Sequence, residues 1–466
     1  MPPFHRAYIL IVAVWWLRTS WCVSSRRHDP VIHRHDYALK WEQQGPYYLN
    51  HSAGTNLKSK SVSGNFQPRA PTASRIVVID NLANGSNVNM YISGNDPEGH
   101  LVFLGPDGEW CYPSVNNSLS VPTEIPASTI TIHVQGIGQA VEVALPTDIS
   151  AGRIWLAHGD LKFSVVSTAA GNASLVQPSV TIESVPTGVD VSWGFVEFTY
   201  AQGKGLWVNL SYVDFVGLAL GIILTSASPE TSPVASQWAL GLQSNATSTI
   251  CRELANQSML DGHPWGDLCL KDSYSRPFRI LSPNTYIQMY ADAFVDYWTS
   301  YIDQVWTRYT TQGLTINTQS EDLGNVSCSV ASDSLICASA NVSVSGNAIY
   351  TKPSAKDIFS CNSGPFAASS DLYRAVTPRL CSAINRSTLL LSGGDIQPDG
   401  VASSLYYNDE VTNWYSKLVH QWEIEGKGYA FPYDDISPSM EHQGQAGELT
   451  SDDPWVLTLL VGGALG

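Results

Sequence analysis

The sequence predicts a mainly β fold with an α+β region, a β-sandwich or barrel interrupted by a mixed α/β domain. Three observations carry this. From about 74 to 225, short β-type runs recur between turn residues at roughly 8–15-residue spacing, as sandwiches and barrels require. Between about 226 and 425 the periodicity turns largely helical. The segment from 426 to 466 then returns to strand character in "PWVLTLLVGG".

The early runs "RIVVID", "VNMYIS", "LVFLG", "TITIHV", "VEVAL", "GRIWLAHG" and "FSVV" are rich in β-branched and aromatic residues and read as strands. "SPVASQWALGLQ" and "TICRELANQSML" read as helices. "TYIQMYADAFVDYWTSYIDQVWTRYTT" reads as one long helix, with Tyr290, Phe294, Trp298, Tyr301, Val305 and Tyr309 on a single face. Such a stripe is core rather than binding ridge. "LTIN" and a hairpin around "NVSCSVASDSLICASANVSV" follow. A helix is expected to start at Thr377-Pro378, where Thr caps and the missing proline N–H costs nothing. "EVTNWYSKLVHQWE" gives a further helix, closed by the glycines of "EGKG".

The composition bounds the chemistry. The chain has 466 residues, 44% apolar and only 14% charged, with a formal charge of −16. Nucleic acid and anionic membranes select basic surfaces, so neither is an expected partner. Residues 1–25 look like an export signal: a basic start, the apolar run "AYILIVAVWWL" and a small-residue site. That run is shorter than the ~20 residues a membrane span needs. Residues 26–73 read as a pro-segment or linker, and the chain is expected outside the cell or at its wall. Ten Asn-x-Ser/Thr triplets agree, at Asn50, Asn84, Asn116, Asn172, Asn209, Asn245, Asn256, Asn325, Asn341 and Asn385. Short-loop pairing of cysteines suggests Cys251–Cys269, Cys328–Cys337 and Cys361–Cys381; Cys22 leaves with the signal and Cys111 is left odd. No CxxC, HExxH, GxSxG or Walker-type pattern is present, so neither metal nor cofactor is expected. Nothing suggests an obligate partner, and a monomer is expected.

One stretch stands out chemically. "GFVEFTYAQGKGLWVNLSYVDFVGL", residues 194–218, reads as a hairpin in which Glu197 and Asp214 sit among apolar residues. Matching apolar faces pairs Glu197 with Ser211 and Thr199 with Asn209 across a Gly-Lys-Gly loop. The polar face then carries Glu197, Thr199, Trp207, Asn209 and Ser211. Strict alternation buries Asp214, which is costly for an unpaired carboxylate. Either a bulge swings it onto the Glu197 face, or it is paired with a base inside. In the first case the two carboxyls could leave room for a water, as inverting glycoside hydrolysis needs.

"WGFVEFTY" and "LWVNLSYVDFVGL" closely resemble the signature of glycoside hydrolase family 64, the laminaripentaose-producing β-1,3-glucanases, and more distantly the thaumatin-like proteins. "GRIWLAHGDLKF", "YIDQVWTRYTT", "CNSGPF", "RLCSAINRSTLL", "QPDG" and "IEGKGYAFPYDD" resemble that family in the same order. The resemblance implies a thaumatin-like β domain plus a mixed α/β domain, forming a crescent around a wide groove for β-1,3-glucan. It implies inversion, with Glu197 as general acid and Asp214 as general base. Thr199 and Trp207 match sugar-contacting positions, Trp207 as a stacking platform. Asp434 and Asp435 would line the facing wall. The chain departs from the family at Ala201-Gln202, where an expected Asn contact is either lost or supplied by Gln202. The competing reading is a non-catalytic glucan-binding wall protein. His158 and His420 read as structural, and Asn209 is a poor glycan site if its face is the groove.

Overall fold

The computed structural model describes residues 88–463 except 116–120, 135–139, 181–190, 227–234, 322, 340–345 and 441–443, together with strands Arg34–His35 and Arg75–Asp80. The export signal and nearly all of the proposed pro-segment lie outside the described residues, as do the triplets at Asn50, Asn84, Asn116 and Asn341.

Two sheets form a sandwich. The eight-stranded sheet runs in the order Leu449–Ser451, Gly205–Leu210, Trp193–Ala201, Ile149–His158, Val88–Asn95, Leu101–Leu104 and Trp110–Cys111, with Ile132–Val134 also pairing Val88–Asn95. The six-stranded sheet holds Arg34–His35, Ala140–Ala144, Arg75–Asp80, Pro454–Val461, Leu220–Ser226 and Ala235–Ala239. Alternation explains the packing between them. Val196, Phe198, Val208 and Leu210 point from one sheet, and Ile222, Leu224, Leu457 and Leu459 from the other, into one core. The opposite face of the larger sheet buries a second, aromatic cluster of Tyr91, Phe103, Trp155, Phe163, Trp193, Phe195 and Phe215. The chain's final strand thus lies between two strands from its first half, pairing Arg75–Asp80 in parallel and Leu220–Ser226 antiparallel.

The inserted region contains helices Ala246–Asp261, Thr299–Thr311, Asp371–Asn385 and Trp414–Trp422 and a five-stranded sheet around the hairpin Asn325–Ala331/Ser334–Ser339. The three cysteine pairs form as the loop lengths suggest: Cys251–Cys269, Cys328–Cys337 and Cys361–Cys381. Cys111 is also disulfide-bonded, so the expectation that it is left odd does not stand.

Three element readings change. Ala235–Ala239, read as helix, is an edge strand, because register with Leu220–Ser226 outweighs the helical spacing of its apolar residues. The long aromatic helix is two, Pro283–Met289 and Thr299–Thr311, broken where Phe294 adopts φ +62°. That bend packs Phe294 4.6 Å from Trp265 and 5.6 Å from Phe359 by ring centroids. Phe294, Trp298, Tyr301, Val305 and Tyr309 are core as expected, whereas Tyr290 is exposed. The helix expected at Thr377-Pro378 begins at Asp371, with Pro378 inside it. Burial of Leu372, Ala375 and Val376 on the earlier turns holds the helix despite the proline.

Candidate active site

Glu197 lies mid-strand in the eight-stranded sheet, opposite Arg153 on one side and Asn209 on the other. Arg153 donates to Glu197 Oε1 from Nη2 at 2.8 Å and Nε at 3.2 Å, and from Nη1 to Gln177 Oε1 at 2.7 Å. Its guanidinium also sits 4.6 Å over the Phe195 ring, a cation–π arrangement that keeps it in place.

The hairpin register differs by two residues from the sequence reading. Glu197 faces Asn209 rather than Ser211, and Thr199 faces Trp207 rather than Asn209. The loop is Gln202–Lys204, closed by Lys204 N–H to Ala201 O at 2.9 Å, and Gly205 already belongs to the strand. Gly205 has φ +99°, and a Cβ there would meet Ser451 O at 2.2 Å. The close third strand therefore claims this glycine, which the sequence reading had assigned to the loop. A shift of two preserves the faces, so Thr199 and Trp207 become direct cross-strand neighbours.

Asp214 departs from strict alternation by a larger irregularity than one bulge. The strand ends at Leu210, where Tyr429 inserts: its N–H donates to Leu210 O at 2.9 Å and its carbonyl accepts Tyr212 N–H at 2.7 Å. The Tyr415 hydroxyl holds the Tyr212 carbonyl. By Phe215–Val216 the chain has joined a different sheet, against Ile280 and Leu281. Between these anchors the Asp214 carbonyl accepts Ser282 N–H at 3.0 Å and Thr285 Oγ1–H at 2.9 Å. Its side chain is half-buried; desolvation raises the carboxyl pKa, partly offset by the Arg153 charge. Arg153 thus acts on both carboxylates.

A cavity of about 450 Å³ opens beside this pair. Its floor includes Arg153, Glu197, Thr199 and Trp207, and its wall is the strand Ala173–Val176 together with Gln177. Asp214 is not among the lining residues, and neither is Gln202, which is exposed at the hairpin tip with its N–H on Asp148 Oδ1 at 2.8 Å. Asn209, directly across from Glu197, is 2% exposed.

The two aspartates of "PYDD" part company. Asp435 is exposed, and its charge helps to raise the pKa of the Tyr429 hydroxyl, after desolvation by burial. Asp434 is 0% exposed, which removes it from the expected groove wall. Its carboxylate takes Arg386 Nη2–H at 2.8 Å, Ala430 N–H at 2.8 Å and His420 Nε2 at 2.9 Å, and His420 Nδ1 meets Glu423 Oε2 at 2.9 Å. Burial opposes a charge on His420, but Asp434 and Glu423 outweigh it and push the imidazole pKa up to about 10. His420 is therefore a charged structural residue. Sequence reasoning missed one charged group that lines the cavity, Arg153. Arg153 was visible as a lone cation in "GRIWLAHG", but only the pairing of two strands distant in sequence sets it against Glu197.

Among the described residues no cluster of His, Cys, Asp or Glu could hold a metal ion, and no helix is long and apolar enough to cross a membrane.

Glu197 and Arg153 thus line an open cavity, and the comparisons supply the class. Residues 75–461 match the glycoside hydrolase 64 family, described as β-1,3-glucanase, and the chain belongs to that family. It is 28% identical over 314 residues to a glucan endo-1,3-beta-glucosidase of Cellulosimicrobium cellulans and 27% identical over 311 residues to one of Arthrobacter sp. (strain YCWD3). Each match covers 66% of this chain but 52% of the relative, so the chain spans about half the length of these curated relatives. A solved laminaripentaose-producing β-1,3-glucanase in complex with laminaritetraose aligns with TM-score 0.71 at 22% identity, covering 84% of this chain and 99% of that one. A β-1,3-glucanase domain from Clostridium beijerinckii aligns with TM-score 0.63 at 19% identity, over 85% and 100%. These structures establish the shared fold.

Proposed function

We propose that the protein is a secreted endo-acting β-1,3-glucan hydrolase that inverts the anomeric centre, with Glu197 as general acid and Asp214 as general base. The observation that carries the reading is Arg153, which meets Glu197 at 2.8 Å and offsets the burial of Asp214. Glu197 lines the cavity together with Arg153, and the Arg153 charge also reaches Asp214, 17 residues further along the chain (214 − 197). The acid protonates the leaving glycosidic oxygen while the base takes a proton from the attacking water, and both carboxyls return to their starting states after product leaves. Trp207 supplies the stacking platform, Thr199 and Gln202 polar contacts, and Asp435 a wall contact, in the crescent-shaped thaumatin-like groove that the family resemblance implies. The enzyme works as a monomer without a cofactor.

The Arg153 contact also favours a second division of labour. Glu197 already accepts two N–H bonds from Arg153, which suits a base, while burial raises the Asp214 carboxyl pKa, which suits an acid. Asp214 as acid and Glu197 as base would need no rearrangement, whereas the first division requires glucan to loosen the Arg153 contact. Incubation with laminarin, following product anomers by NMR, tests the activity and its stereochemistry. Retained configuration sinks inversion. If the wild type and Glu197→Gln release sugar at the same low rate, a glucan-binding protein replaces the hydrolase. An aryl β-glucoside with a good leaving group separates the roles, because it spares only the variant that lacks the acid.

A further inference from the structure

The fold sorts the glycosylation triplets. Six fall on described residues, and two of these have no room for a sugar. Asn209 is 2% exposed, and Asn385 is 0% exposed with its Nδ2 donating to Ile358 O at 2.9 Å and Cys381 O at 3.1 Å. Asn172, Asn245, Asn256 and Asn325 are exposed. Asn172 differs from the other three in where it points the chain. It ends the turn 168–172, held by Thr168 N–H to Asn172 O at 2.8 Å and by its own N–H to Thr168 Oγ1 at 3.1 Å. The next three residues, Ala173, Ser174 and Leu175, line the cavity that Glu197 and Trp207 floor. Among the described residues the Asn172 side chain makes no hydrogen bond of its own, so its amide is available.

We propose that Asn172 is an N-glycosylation site and that the attached oligosaccharide screens one rim of the groove, restricting long glucan chains more than short ones. The inference rests on the secreted-hydrolase reading. In the transfer, Asn172 Nδ2 forms a bond to the anomeric carbon of a lipid-linked diphospho-oligosaccharide. The glycosyl–phosphate bond breaks, the lipid diphosphate leaves with the electron pair, and the amide gives up one proton. The rim position follows from the turn, which sets the exposed Asn172 directly before three groove-lining residues.

The test expresses the full chain in a eukaryotic secretory host and maps peptides by mass after enzymatic deglycosylation in heavy-oxygen water. Asn172 should be converted, and Asn209 and Asn385 should not. Laminarin turnover should rise several-fold in Asn172→Gln and in wild type trimmed under native conditions, while laminaritetraose turnover stays unchanged. A bare Asn172, or a glycan on Asn209 or Asn385, overturns the assignment. An equal change on both substrates overturns the screening. Should no form cleave either substrate, the hydrolase reading fails, and retention on immobilised laminarin decides the screening: tighter retention of Asn172→Gln supports it, equal retention refutes it.

Discussion

The groove floor and the buried network beneath Tyr429 use the same side chains to opposite ends. On the floor, Glu197 is held by Arg153 and keeps contact with solvent, as does Asp214 beyond the lining. Inside, Asp434 and Glu423 enclose His420, with Arg386 on the far side, and every member is buried. A carboxylate saturated by a guanidinium, an imidazole and a backbone N–H has no lone pair or proton to offer a substrate. One with an open flank does. The network instead fixes the segment 429–436 that ends the Gly205–Leu210 strand and redirects the chain toward Asp214.

The comparison breaks most visibly at the floor. Glu197→Gln and Asp214→Asn should each lower laminarin turnover by about 10²–10⁴-fold with little change in Tm; a large Tm loss with retained turnover would reverse the assignment of the two regions. Asp434→Asn should do the opposite, destabilising by about 3–5 kcal/mol through the unpaired buried Arg386, as urea unfolding would show. The network also sets a pH dependence. The His420 pKa is raised from 6.5 to about 10, so its stabilisation is complete below the unfolded value and is lost as pH rises through that window. Wild type should lose stability between those limits more steeply than His420→Gln, and parallel curves would mean that the imidazole is uncharged. Gly205→Ala should cost about 1–2 kcal/mol from the left-handed backbone, before the clash with Ser451, read as a fall in Tm. Trp207→Ala should raise KM for laminarin by the equivalent of about 1 kcal/mol and leave kcat almost unchanged.

Much of the sandwich was legible because half-buried strands write their period into the sequence, and "VNMYIS", "GRIWLAHG" and "VEVAL" became strands. Glu197 was legible for the same reason. What failed depended on contacts between distant segments. The Gly205 register follows from Ser451, the break at Phe294 from Trp265 and Phe359, and the strand at Ala235–Ala239 from a neighbour. Asp434 and Asp435 are adjacent in sequence and identical in type, and only the position of Arg386 and His420 tells them apart. The break that frees Asp214 from strict alternation is likewise imposed from outside, by Tyr429.

The strand Pro454–Val461 lies between Arg75–Asp80 and Leu220–Ser226, which has a consequence for biogenesis. The six-stranded sheet cannot close until nearly four hundred further residues (461 − 75) have followed its first main strand. Until then the inner faces of Leu220–Ser226 and of the larger sheet present an uncovered apolar slot to the surroundings. Pairings of such long sequence separation form slowly because loop closure precedes their reward. During synthesis the helical insert and its local disulfides can mature first, while the half-built sandwich waits with an open edge that chaperones must shield.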